Sequence, residues 1–142
     1  MAHVSEIMTT DVQVIQPQES LRRAAELMQR LDIGALPVCD GERLLGMLTD
    51  RDITIYGVAE GMDPDGCCVS DVMTADIEVC SSDQDVEQLM REMGDKQLRR
   101  MPVVDADHKL VGIVSLGDLA VRQERQVDET VRKVSEPGNV AE

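Results

Sequence analysis

The 142-residue sequence predicts a mixed α/β (α+β) fold made of two β-α-β-β-α repeats that are related by a pseudo-twofold axis. The first observation is an internal repeat, because residues 4–9 (VSEIMT) return as residues 69–74 (VSDVMT), a shift of 65 residues. The second is that this shift holds without a gap until one added residue in a turn makes it 66. The third is that each copy alternates short apolar runs with amphipathic helical patterns, which predicts strands and helices in the same order twice.

The first copy begins with a short strand and a helix. Residues 12–15 predict the strand, which Pro17 ends, and Ser20 predicts the N-cap of a helix that Gly34 breaks. The remaining predicted elements are strands at 36–39 and 44–48, a turn at 40–42 and a helix that starts at Thr49.

The second copy predicts the same order of elements. They are a strand at 77–79, a helix from about Asp83 to Gly94, strands at 101–104 and 110–114 around a turn at 105–107, and a helix that starts at Ser115. A loop at 57–66 contains three glycines and a proline among its bridging residues, which predicts a linker. The expected organisation is repeat 1 at 1–57, a linker at 58–68, repeat 2 at 69–121, and a C-terminal helix and tail at 122–142, helical to about Val134.

The composition excludes several classes of partner. The net charge of −14 argues against nucleic acid and anionic membranes, because both attract basic surfaces. No apolar run approaches the roughly 20 residues of a membrane span, and the N-terminus lacks a signal-peptide core. The sequence therefore predicts a cytoplasmic protein. With no Trp or Phe and nine Met, its core is expected to be aliphatic.

The four cysteines do not form a metal-binding pattern. No Cys-x-x-Cys motif is present, and the two histidines lie far from the adjacent Cys67 and Cys68, so no metal site is predicted. Cys39 and Cys80 fall at strand ends and are expected to be small buried hydrophobic residues. Cys67 and Cys68, in the linker, are the one candidate for redox chemistry or an intermolecular disulfide.

Enzyme signatures are also missing from the sequence. There is no Gly-x-Gly-x-x-Gly after a strand, no Walker loop, no His-Glu-x-x-His and no Gly-x-Ser-x-Gly. The sequence therefore predicts that the chain is not an enzyme and that it requires no cofactor.

A strand followed by Thr/Ser-x-x-Asp occurs once in each copy. Thr49 precedes Asp52, and Ser115 precedes Asp118 at the same spacing. One interpretation is a capping box, in which hydroxyl and carboxylate cap a helix N-terminus. The other is a nucleoside phosphate site, because free N–H groups at a helix N-terminus bind anions and a carboxylate can accept both hydroxyls of a ribose. The motif alone leaves both open.

Three arginines favour the second interpretation. Arg51 lies inside the first motif, and Arg99 and Arg100 precede an apolar strand of a strongly acidic chain. Arginine binds phosphate through two parallel hydrogen bonds. Because the first copy has Gly34 and Ala35 where the second has the arginine pair, the two half-sites are expected to be chemically unequal.

The motifs of both copies resemble a tandem CBS domain. The matching segments are Met8-Thr9, 33–38 (IGALPV) and 46–53 (GMLTDRDI) in the first copy, and Met73-Thr74, 99–105 (RRMPVVD) and 112–119 (GIVSLGDL) in the second. The whole chain is similar to a stand-alone CBS pair of the small bacterial hypoxic-response type. This resemblance implies up to two adenosyl-ligand pockets in the cleft between the repeats and assembly into a disc-like homodimer, to which a helix from Leu116 to Val134 is expected to contribute.

The resemblance also implies roles for individual residues. Ribose and phosphate would be held by Thr49, Asp52, Ser115 and Asp118. The base pockets would be lined by Thr9, Val14, Ile33 and Gly34, with Thr74, Val79, Leu98 and Arg99. Phosphates would face Arg51, Arg99 and Arg100. The function that follows is a regulatory module that binds AMP, ADP or ATP and signals through its conformation or an unknown protein partner; the alternative is a structural, interaction or redox-responsive dimer without a nucleotide.

Overall fold

The computed structural model describes residues 2–122, and its elements occur in the predicted order. The first repeat begins with a short 3-10 helix at Val4–Glu6. The elements that follow are α1 (Leu21–Leu31), β1 (Ala35–Asp40), β2 (Arg43–Thr49), α2 (Asp50–Asp52, continued as a π-helix at Ile53–Val58), α3 (Val69–Val72), β3 (Cys80–Ser81), α4 (Val86–Asp95), β4 (Arg100–Val104), β5 (Leu110–Ser115) and α5, helical over residues 116–122. The predicted helix to Val134 and the tail lie outside the described residues beyond 122.

Helix α1 begins where its sequence predicts but ends two residues before the predicted end. Ser20 is the N-cap, and its hydroxyl accepts a hydrogen bond of 3.1 Å from the backbone N–H of Arg23. The prediction that Gly34 breaks the helix was wrong. The last helical residue is Leu31, and Asp32 ends the helix in the left-handed conformation with φ of 54°. Aspartate is one of the few residues other than glycine that adopt this conformation at low cost.

The two hairpins are built alike. Strand β1 pairs with β2 and β4 pairs with β5, both antiparallel, and each hairpin has a register shift at the equivalent position, after Val38 and after Val103. Strand β3 adds to β4 in parallel and gives the second repeat a three-stranded sheet. The structure thus has the predicted mixed α+β architecture, and both repeats contain a helix, an antiparallel hairpin and a second helix in the same order.

Each repeat is completed by a segment of the other repeat. The backbone of Thr9 exchanges hydrogen bonds of 2.8 and 2.9 Å with Ile113 in β5, and Thr74 exchanges two of 2.9 Å with Met47 in β2. These paired bridges relate the repeats by the pseudo-twofold axis. Glycine permits the close approach, since a Cβ at Gly112 would lie 2.9 Å from the carbonyl oxygen of Thr9.

Several predicted boundaries need correction. Residues 12–15 do not form a strand; Ile15 makes a single parallel bridge to Val38. The strand predicted at 77–79 lies at Cys80–Ser81, and the last helix of the first repeat continues to Val58, into the predicted loop. Such shifts are typical where an apolar run is too short to fix its own ends.

The core is divided into three apolar clusters. One lies under α1 in the first repeat, with Ile15, Leu36 and Leu48 fully buried, and a second lies under α4 around Leu89 and Met101. The third joins the two hairpins across the pseudo-twofold axis and contains Cys39, Leu44 and Val104, with Val14, Ile77, Val79 and Leu110 packed against it. Burial of these aliphatic side chains, about 1.5–3 kcal/mol each, holds the repeats together.

Candidate functional site

Both Thr/Ser-x-x-Asp motifs form complete capping boxes. The Thr49 hydroxyl accepts from the Asp52 N–H at 3.0 Å, and the Asp52 carboxylate accepts from the Thr49 N–H at 2.9 Å. In the second repeat the corresponding Ser115–Asp118 distances are 3.2 and 2.9 Å. Each carboxylate uses only Oδ2 for the box, and among the described residues Oδ1 of Asp118 accepts no hydrogen bond. Capping and ligand binding are therefore compatible at Asp118.

A cleft of about 630 Å³ opens beside the Ser115–Asp118 box. It lies between the repeats, because one wall comes from the first repeat and the other from the second. Its lining residues are Thr9, Asp11, Val12, Gln13, Leu31, Asp32, Ile33, Gly34, Ala35 and Pro37 on the first side and Arg100, Ile113, Ser115 and Asp118 on the second. The volume is within the range of small-molecule sites.

The cleft brings together six of the residues predicted from the sequence. They are Thr9, Ile33, Gly34, Arg100, Ser115 and Asp118. The other predicted residues do not line it; they are Val14, Thr49, Arg51, Asp52, Thr74, Val79, Leu98 and Arg99. Val14 and Val79 instead pack against the third apolar cluster, around Cys39, Leu44 and Val104.

Five of the residues outside the cleft are repeat-related counterparts of residues inside it. Thr74, Leu98 and Arg99 correspond to Thr9, Ile33 and Gly34, and Thr49 and Asp52 correspond to Ser115 and Asp118. The cleft therefore combines residues of the first repeat (Thr9, Ile33 and Gly34) with the capping box of the second repeat. The sequence indicated the two sets of residues but not this crossing, which follows from the Thr9–Ile113 bridge.

The cleft contains exposed apolar surface and one cation. Leu31 and Ile33, at the end of α1, are 41% and 38% exposed, which is high for aliphatic side chains. Arg100 is exposed at the start of β4 and forms no ion pair with any described residue. Asp11 and Asp32, which the sequence analysis did not single out, bring two further carboxylates to the lining.

Gly34 is fixed by a neighbour from its own repeat. Its carbonyl oxygen accepts a hydrogen bond of 2.9 Å from the N–H of Asp50, and an added Cβ would lie 3.1 Å from the Asp50 carboxylate. In the second repeat the same backbone bond joins Leu116 to Arg99, also at 2.9 Å. The first repeat has Gly34 and Asp50 at this bond where the second has Arg99 and Leu116, so the two half-sites differ in charge.

The cysteines are four free thiols. Cys39 and Cys80 are buried, as predicted, and this burial raises the pKa of each thiol to about 11. Cys67 is buried against the sulfur of Met62 at 3.2 Å, and its pKa is raised by burial and by the adjacent Asp71 carboxylate. Cys68, half-buried, is the more accessible thiol of the adjacent pair.

Within residues 2–122, no group of three or more His, Cys, Asp or Glu side chains is placed to hold a metal ion. Over the same residues, no helix is both long enough and apolar enough to cross a bilayer.

The fold and the cleft define a class: a tandem α+β module whose two repeats together form a ligand cleft. A family model of the CBS domain matches residues 4–58 and again 69–124. The chain therefore belongs to the CBS-domain family and is a CBS pair, as its motifs predicted.

Two relatives show how similar the chain is to known members. CBS domain-containing protein YhcV of Bacillus subtilis is 42% identical over 123 residues, which are 87% of this chain and 86% of that protein. Hypoxic response protein 1 of Mycobacterium tuberculosis is 40% identical over 121 residues, 84% of each. Neither name is that of an enzyme; the absence of catalysis in this chain stays a prediction.

Solved structures agree with the fold. A crystal structure of hypoxic response protein I with two coordinated zinc ions has a TM-score of 0.75 at 39% identity, covering 84% of this chain and 97% of that one. CBSX2 in complex with AMP has a TM-score of 0.76 at 29% identity, covering 90% of this chain and 99% of that one.

Proposed function

We propose that the chain is a regulatory CBS pair that binds an adenine nucleotide (AMP, ADP or ATP) in the cleft between its repeats and signals through its conformation or an effector protein. The observation that carries this proposal is the composition of the cleft, where exposed aliphatic side chains lie opposite a guanidinium and a helix-capping carboxylate. A purine base, a ribose and a phosphate need these three kinds of group.

The base is assigned to the first-repeat wall. Leu31 and Ile33 offer apolar surface that water contacts in the free protein, and covering such surface is favourable by about 25 cal/mol per Å². Thr9 lines the same wall, and its hydroxyl, which makes no hydrogen bond to any described residue, is assigned a polar contact with the base.

The ribose and the phosphate are assigned to the second-repeat wall. Oδ1 of Asp118 is available to accept the ribose hydroxyls while Oδ2 keeps the capping bond to Ser115. Arg100 is the cation of the cleft and is free to pair with a phosphate bidentately. Arg51 and Arg99 lie away from this cleft and are assigned to its repeat-related counterpart.

The relatives give independent support. CBSX2, which shares the fold over 90% of this chain, has a crystal structure in complex with AMP. The zinc ions of hypoxic response protein I are a property of that protein, and within residues 2–122 of this chain no group of three or more His, Cys, Asp or Glu side chains is placed to hold a metal ion.

A homodimer is proposed as the assembly, with the surface of α2 and α5 as its contact. Tyr56 and Val58 on the continuation of α2 are 54% and 69% exposed, and Leu116 and Val121 on α5 are 48% and 46% exposed. These helix faces carry apolar surface that a second copy would cover. The alternative function, a dimer that acts through its surface or Cys68 without a nucleotide, uses the same contact. The cytoplasm is the proposed location, which four free thiols favour.

The test is a thermal-shift and calorimetric panel with AMP, ADP, ATP and NAD. A ligand present at 100 times its Kd stabilises the folded protein by about 2.7 kcal/mol. Arg100→Gln is expected to weaken binding at the cleft, whereas Arg91→Gln, a control at an exposed arginine of α4 that does not line the cleft, is expected to leave it unchanged. Failure of every adenine compound to shift the melting temperature would refute the nucleotide and favour the ligand-free dimer.

A further inference from the structure

We infer that the cleft selects adenine ligands by their number of phosphates and binds the monophosphate in preference to the di- and triphosphate. This inference deepens the proposed function and depends on it. Three carboxylates line the cleft, from Asp11, Asp32 and Asp118, against the single guanidinium of Arg100. One phosphate can pair with the arginine, and every further phosphate meets an excess of negative charge.

The carboxylates lie on both walls and are not neutralised by neighbours. Asp11 and Asp32 are exposed and form no ion pair with any described residue. The three ion pairs found among the described residues lie elsewhere: Arg22–Asp65, Lys96–Glu78 and Lys109–Glu42. The carboxylates of Asp11 and Asp32 are therefore available to repel a negatively charged ligand.

The repeat-related positions also carry three carboxylates, Asp52, Asp76 and Glu78, but they carry more cations, so the excess of negative charge is specific to the described cleft. Gln97 stands where the first repeat has Asp32, and Arg99 stands where it has Gly34. Lys96 stands where the first repeat has Leu31, and Glu78 stands where it has Gln13. Lys96 and Glu78 form an ion pair at 2.9 Å. The second repeat thus has cations, Lys96 and Arg99, at positions where the first repeat has neutral side chains.

The size of the effect follows from Coulomb's law. Two unit charges about 10 Å apart in water change an affinity about twofold. With an excess of two carboxylates, each added phosphate charge should weaken binding about fourfold, so ATP should bind about tenfold or more weakly than AMP at low salt. Raising the salt from about 0.05 to about 0.5 M should narrow this difference because the charges are exposed.

The chain supplies a matched substitution for the test. Asp32 adopts a left-handed conformation with φ of 54°, and its counterpart Gln97 adopts the same conformation with φ of 57°. Asp32→Gln therefore removes one carboxylate from the cleft and places there a residue that the protein already accommodates in that backbone geometry. Asp11→Asn is the second variant, and Asp76→Asn, at the repeat-related position, is its control for a general change in net charge.

Calorimetry without divalent cations measures the affinities of adenosine, AMP, ADP and ATP for each protein. We expect AMP to bind wild type best among the nucleotides. Asp32→Gln should reduce the ratio of the AMP affinity to the ATP affinity about fourfold without changing the affinity for adenosine. Asp76→Asn should leave this ratio of affinities unchanged. Equal binding of AMP and ATP by wild type, or equal effects of Asp11→Asn and Asp76→Asn, would overturn the inference while the proposed function stands. No binding of any of the four compounds would overturn both.

Discussion

The capping carboxylate of the second repeat offers a direct test of its role as a ligand group. Asp118→Asn keeps the shape of the side chain, and the amide oxygen can still accept the 2.9 Å hydrogen bond from the Ser115 N–H. The free carboxylate oxygen, however, becomes an NH2 group, which cannot accept a ribose hydroxyl. The substitution therefore separates the two functions of one side chain.

The magnitude follows from the bond that is lost. A hydrogen bond to a charged group contributes about 1.5–3 kcal/mol, so the affinity for adenosine should fall by about tenfold or more. With AMP the loss should be smaller, because the variant also removes one of the carboxylates that oppose the phosphate. The stability of the free protein should change by less than about 1 kcal/mol, the usual contribution of a charge at a helix N-terminus.

The matched control is Asp52→Asn. Asp52 forms the same capping box with Thr49, at 2.9 and 3.0 Å, but it does not line the described cleft. Isothermal calorimetry with adenosine and thermal melting without ligand give the two readouts. Unchanged adenosine binding by Asp118→Asn, or the same loss from both variants, would refute the assignment. In that case the boxes are caps alone, and Ser115→Ala should simply lower the stability by about 1 kcal/mol.

Three further predictions concern packing, thiols and assembly. Gly112→Ala should destabilise the protein by about 1–3 kcal/mol, since its Cβ would lie 2.9 Å from a backbone carbonyl, whereas Gly94→Ala, with open space around it in α4, should stabilise by about 0.5–1 kcal/mol; chemical denaturation compares them. Folding raises the pKa of Cys39 and of Cys80 from 9.0 to about 11, so the stability that these thiols contribute is present below pH 9 and should be lost as the pH rises from about 9 to about 11. Both thiols should also resist alkylation at pH 8 until the protein is denatured. Tyr56→Glu should shift the proposed dimer toward monomer in light scattering at micromolar concentration, and a wild-type monomer at high micromolar concentration would contradict the dimer.

The sequence predicted the fold well because the repeat supplied each element twice. The Ser20 cap, both hairpins and both capping boxes occur where periodicity and local chemistry placed them. The first strand of each copy was placed less well, since Ile15 makes only one bridge and the partner of β4 begins at Cys80. A strand of two residues depends on its neighbours and has little signal of its own.

The lining of the cleft includes some of the residues predicted for the candidate site and not others. The motif residues Ser115 and Asp118 could be found from spacing, and Ile33 and Gly34 from the family resemblance. Which wall faces which depends on pairing between segments about 100 residues apart, and no local pattern encodes it. The acidic contribution of Asp32 was missed because a residue at a helix end in a chain of net charge −14 does not stand out.

The reciprocal backbone bridges between the repeats also bear on how the protein folds and how it can transmit a signal. A repeat that folds alone would lack the bridge that the other repeat makes to its hairpin, at β2 in the first repeat and at β5 in the second. A single repeat expressed by itself should therefore remain unfolded or associate with a second copy through that unpaired edge. The two halves are therefore expected to unfold in one cooperative transition rather than in sequence. We therefore expect the proposed ligand to shift the ends of the helices that border the cleft rather than to separate the two repeats.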